Sequence, residues 1–153
     1  MSKLIELLDR ITEFGEKPNV KVENKELIIC KLLTDLYSEY LSLENTELDN
    51  KNYDDDTRNF NSAFILQNVK ENFPKFGWYH SVWDSHKIIQ DAEVNTGDAI
   101  DDLLDIIKDM MEVKWIIENQ SLANGLWQFN FSMKHHSEQH LVNFLKYAKD
   151  LKG

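Results

Sequence analysis

Two histidines in the last third of the chain carry the plainest chemical signal. His136 and His140 stand four residues apart in the run His135-His136-Ser137-Glu138-Gln139-His140. On a helix that spacing stacks two imidazoles on one face, near enough to chelate one ion. The order is not the His-Glu-x-x-His of the zinc peptidases, because Ser137, not Glu, follows the first histidine of the pair. A metal site needs at least one more ligand, and His80, Asp84 and His86 are the upstream candidates. The metal reading therefore takes Asp84, His136 and His140, joined by Asp101 or Asp105, with Zn, Mn or Fe as the ion. The competing reading is favoured: both histidines fall on an apolar stripe, as core side chains hydrogen-bonded to Asp84, Tyr79 or backbone do.

A second candidate is acidic. Asp101, Asp102, Asp105, Asp109 and Glu112 recur at three-and-four spacing. Carboxylates in such rows hold divalent cations where a second acidic helix faces them. Here Glu39, Glu44 and Glu47 are too irregularly spaced to supply one, so the row reads as a solvated helix face. A third is aromatic: Phe73, Phe76, Trp78, Tyr79 and Trp83 crowd one short segment. Trp and Tyr suit recognition surfaces, and they also plug the open end of a bundle, the use preferred here. No phosphate-binding glycine loop, nucleophile elbow or cysteine pair for zinc is present.

These residues must be positioned by helices. Ser2 is a plausible cap for a first helix carrying Leu4, Leu7, Leu8, Ile11 and Phe14, ended by Gly15 and Pro18. A second runs from about Asn24 to Leu43, with an apolar face broad enough for a central helix. Asp54, Asp55 and Asp56 are expected to cap a third, which carries Phe60, Phe64, Ile65 and Val69 and stops before Pro74. Residues 73–93 show no period and read as an irregular connection. Thr96 is the expected cap of a fourth helix, with Leu103, Ile106, Met110 and Val113 in one row and Ile100, Leu104 and Ile107 beside it. A fifth begins at Ser121 and runs to about Lys149, with a break possible at Gly125. The short link between these two predicts an antiparallel pair.

The chain of 153 residues suits one domain with a real core. Five Gly and two Pro are too few for a turn-rich sheet protein. The expected fold is all-α, a single-domain bundle of five or six helices over residues 1–153. Seventeen Lys and Arg against 27 Asp and Glu give a net charge of −10, which repels a phosphate backbone and excludes direct nucleic-acid binding. The lone Cys30 lies in an apolar run and points to a reducing compartment. The amino terminus is too broken by Glu6 and Asp9 for a signal peptide or span, so a cytoplasmic protein without membrane contact is expected.

Three stretches resemble the bacterial family called domain of unknown function 5063: Gly77-Trp78-Tyr79-His80-Ser81-Val82-Trp83-Asp84, Asp101-Asp102-Leu103-Leu104-Asp105-Ile106-Ile107-Lys108-Asp109, and Trp127-Gln128-Phe129-Asn130-Phe131-Ser132 followed by His136 and His140. The likeness covers roughly residues 75–150, and Ser137-Glu138 stand where the family has Trp-Gly. It implies a helical fold and no assigned activity.

The functional expectation is a non-enzymatic binding protein without a cofactor, most concretely an immunity protein that masks the active site of a basic toxin, such as a nuclease. Opposite charge would steer that association. The expected contact surface comprises Glu44, Glu47, Asp49, Asp54, Asp55, Asp56, Asp101 and Asp105, with Trp78 and Trp83 as anchors. No catalytic residue is assigned, and the oligomeric state is left open. The alternative is the metal-binding protein, or metal-dependent hydrolase, built on the His/Asp set.

Overall fold

A computed structural model describes residues 2–54 and 58–153. Its order is α1 (Ser2–Glu16), α2 (Lys25–Leu41), α3 (Ser62–Asn72), β1 (Trp78–Val82), β2 (Val94–Asp98), α4 (Ala99–Asn119), α5 (Leu122–Ser132), a π turn (Met133–Ser137) and α6 (Glu138–Lys152). The chain is mainly helical, as expected, but a small antiparallel sheet corrects the all-α reading. Among the described residues no helix is long and apolar enough to cross a membrane.

The apolar rows form one continuous core. α1 buries Leu4, Leu7, Leu8, Ile11 and Phe14, the row its spacing predicts. Gly15 does more than help end the helix: a Cβ there would stand 2.6 Å from Ile107 Cγ2, so its absence lets α1 lie close to α4. The carbonyls at the end of α1 are satisfied from α3. Asn72 Nδ2 donates to Phe14 O (3.0 Å) and Lys17 O (2.7 Å), and Asn68 Nδ2 donates to Gly15 O (2.8 Å).

α2 starts where its sequence predicts, is capped by Asn24, and buries Ile29, Leu32, Leu33 and Leu36. It is not the central helix, since Leu27 and Leu41 are exposed. That place belongs to α4, which packs against α1, α3, α5 and α6 and buries ten residues. The expected acidic cap of α3 is also corrected. Asn61 accepts the Phe64 N–H (3.1 Å), Asp54 lies well upstream, and Asp55 and Asp56 fall outside the described residues.

The aromatic segment divides. Phe73 and Phe76 plug the core, stacked at 5.4 Å, with Phe14 and Phe144 against them. Beyond Gly77 the chain becomes a hairpin pairing Trp78 with Asp98 and Val82 with Val94. Thr96 is therefore a strand residue, and Asp98 caps α4 by accepting the Ile100 N–H (2.9 Å). Alternation places Trp78, His80, Val82, Val94 and Thr96 on the outer face. Gly97, opposite Tyr79, leaves the space the Tyr79 ring occupies; a Cβ there would overlap it.

α4 and α5 form the expected hairpin, and Ser121 caps α5. The helix does not break at Gly125, which is buried where a Cβ would overlap Ile117, so its absence lets α5 lie close to α4. The irregularity comes later, at the π turn, which carries one residue more than an α turn. The inward row consequently runs Phe129, Met133, Ser137, Leu141, Phe144, Ala148. His136 and His140 do not fill the core stripe their spacing suggests. They stand at its margin, over the carboxylates of α4.

Candidate metal centre

Asp102, Asp105 and Asp109 lie on one stripe of α4, and α6 lays its own polar stripe along them. The solvated-ladder expectation holds for Asp101, which is exposed, and fails for Asp102, which is 4% exposed. The reason is the central position of α4: neighbours cover it nearly all round, so part of its polar row is covered too. A buried carboxylate needs donors. Asp102 has two, the Tyr79 hydroxyl (2.5 Å) at Oδ2 and His140 Nδ1 (2.7 Å) at Oδ1.

The second imidazole repeats the pattern. His136 Nδ1 lies 2.7 Å from Asp109 Oδ2, which also accepts the hydroxyl of Ser137 (2.6 Å). Ser137 is fully buried, so it holds Asp109 from within the core. In the neutral tautomer that gives its Nδ1–H to the carboxylate, each imidazole keeps a lone pair on Nε2. Both Nε2 atoms face one oxygen, Asp105 Oδ2, at 3.3 Å for His140 and 4.0 Å for His136. One donor atom from each of Asp105, His136 and His140 lies within 4.8 Å of the others. Around an ion with bonds near 2.1 Å, tetrahedral neighbours are about 3.4 Å apart, so small rotations would close the set.

Electrostatics follow from this packing. The hydrogen bond to Asp102 holds the His140 imidazolium above its ordinary pKa, with Asp105 and Asp101 adding to it and burial opposing. Burial raises the Asp105 carboxyl, and Asp101 and Asp109 add to that, while the two histidines oppose it. Burial and then Asp102 push the Tyr79 phenol up. The surrounding carboxylates thus favour a positive charge at His140.

The structure brings together His136, His140 and Asp105, and leaves out Asp84. The Asp84 carboxylate lies in the hairpin connection and pairs with Lys87 Nζ at 3.2 Å. Tyr79 reaches His140 only through Asp102. Asp105, expected at a partner surface, is turned toward the histidines instead. Asp49 is also engaged internally, accepting the Tyr53 hydroxyl (2.7 Å) and the Lys51 N–H (2.9 Å). Glu44, Glu47, Asp54 and Asp101 are exposed, as are Trp78 (72%) and Trp83 (68%). The sequence reading missed Asp102, Asp109 and Ser137 as positioning residues. The signal available for the aspartates was their place on one face of α4, seven residues apart, which is two helical turns. No family model, no curated protein and no solved structure matches this chain, so the geometry of the α4–α6 seam stands as the guide to function.

Proposed function

We propose that the chain is a metal-binding protein holding one divalent transition ion, Zn²⁺ foremost, through Asp105, His136 and His140. The observation that carries this reading is the orientation of the imidazoles. Metal-ligating histidines give their other ring N–H to a carboxylate, which fixes the tautomer and raises ligand basicity; Asp109 and Asp102 stand where that role requires. Two nitrogens and one oxygen suit Zn²⁺, and Mn²⁺ and Fe²⁺ are the other ions such a donor set takes. A simple interhelical ion-pair seam does not need both Nε2 atoms turned to one carboxylate oxygen. Isothermal titration of untagged, chelator-stripped protein with Zn²⁺ should give one site per chain, and His140→Ala should abolish it. Titration heats that are absent, or unchanged in the variant, count against the reading.

A second reading is favoured by a different observation. The hairpin and its connection expose Trp78, Trp83, Ile88 (93%), Ile89 (63%) and Val94 (61%), a concentration of large apolar side chains that marks interaction surfaces. With a net charge of −10, this supports an acidic protein-recognition module, in its most concrete form an immunity protein for a basic toxin. Co-expression with the product of the neighbouring gene tests it: a complex surviving gel filtration supports the reading, and no association counts against it. The two readings use different residues.

A further inference from the structure

Asp105, His136 and His140 offer three donor atoms, and among the described residues no fourth His, Cys, Asp or Glu donor joins the set. Zinc sites that serve only structure are closed by four protein ligands, whereas those that do chemistry keep three and leave the fourth position to solvent or substrate. Neighbouring groups able to close this site are engaged elsewhere. Asp102 Oδ1 and Asp109 Oδ2 lie 2.7 Å from the Nδ1 atoms of His140 and His136, on the side of each imidazole away from Nε2. The His135 ring packs on Phe131, their centroids 4.7 Å apart. Glu138 faces the Tyr37 hydroxyl of α2. Asp101, exposed and one turn before Asp105 on α4, remains the rival for the fourth place.

The direction of the open position follows from the packing. Asp105 comes from α4, and His136 and His140 come from the π turn and α6 that run on from one another beside it. All three donors therefore reach an ion from the protein side, and a tetrahedron points its remaining vertex away from the seam. His136 is exposed and Asp105 and His140 are partly so, which sets the ion at the lip of the seam against solvent. We infer that the ion of the metal reading above, on which this inference rests, keeps a solvent-facing coordination position that exchanges water for a small nitrogen or oxygen donor. Three protein ligands leave one tetrahedral vertex, so a donor that binds through a single atom fits without displacing a side chain. The centre is then of the kind that polarises a bound ligand, not one that only ties α4 to α6.

The test uses untagged, chelator-stripped protein loaded with Co²⁺, which accepts the donors that Zn²⁺ takes and reports its coordination in the visible spectrum. Azide and imidazole are the probes. At least one of them should shift the visible bands along a saturating curve while the protein retains its Co²⁺ on gel filtration. Asp101→Asn, which alters an exposed carboxylate, should respond in the same way. Bands that neither probe changes, or that vanish as the ion is stripped with no new spectrum, overturn the inference and leave the metal reading standing. A response present only in Asp101→Asn assigns the fourth place to that carboxylate and overturns the inference as well. Protein that takes up no Co²⁺ ends the metal reading itself, and this inference with it.

Discussion

The α4–α6 seam and the hairpin invert the usual distribution of side chains. In the seam, Asp102 and Ser137 are buried and Asp105, Asp109 and His140 are partly so, with Asp102, Asp109, Ser137 and His140 joined by hydrogen bonds. On the hairpin, two tryptophans and two isoleucines stand in solvent. Buried polar groups and crowded exposed apolar ones are the informative exceptions in any fold. The seam has spent its donors on its own acceptors and leaves only ligand lone pairs over. The hairpin has left both backbone and apolar surface unmatched. The first supports the proposed metal-binding reading, the second the proposed recognition reading.

This contrast predicts unequal sensitivity to substitution. Removing the Asp102 carboxylate as Asp102→Ala strands the Tyr79 hydroxyl and the His140 imidazole, and should cost about 3 kcal/mol in urea unfolding. A loss below about 1 kcal/mol would mean that the seam is not a satisfied network. Gly97→Ala should cost about 2 kcal/mol, because the added methyl forces the Tyr79 ring aside. It should also weaken metal binding by about tenfold, since Tyr79 fixes Asp102 and Asp102 fixes His140. Full metal affinity in that variant would detach the hairpin from the seam.

The pH response sharpens the comparison further. In metal-free protein His140 has a raised pKa, so its proton stabilises the folded chain. That contribution is fully present below the ordinary imidazole value of 6.5 and is lost as pH rises through the raised value. Thermal unfolding in chelator should therefore show this part of the stability falling with rising pH. Zn²⁺ should reverse the sign, because metal and proton compete for the imidazole. The smallest effect belongs to the hairpin: Trp83→Ala and Ile88→Ser should each change stability by less than about 0.5 kcal/mol. A larger loss in either would place those side chains in the core's service.

The legibility of the sequence follows the same division. α1, the starts of α2 and α5 near Asn24 and Ser121, and the α4–α5 hairpin were readable because each rests on local signals, a period or a short connection. β1 and β2 were not, because eleven residues separate them (83–93) and no tight-turn pair announces the hairpin. The aspartate row was seen but read as solvated, since periodicity reports which residues share a face and not what covers it. The histidine pair was seen, and of the carboxylates expected beside it Asp105 is there while Asp84 is not. Spacing pointed inward, and only the π turn, which hands the buried position to Ser137, sets the imidazoles over Asp102, Asp105 and Asp109. Of the residues expected at a partner surface, Trp78 and Trp83 are exposed, while Asp49 and Asp105 make contacts within the chain.

The most direct test of the metal centre is elemental analysis of untagged protein after gel filtration, wild type beside His140→Ala. Near-stoichiometric zinc, or another divalent transition ion, in the wild type and its loss in a folded variant is the predicted result. Equal, trace metal in both proteins, with no uptake on adding Zn²⁺, would contradict it.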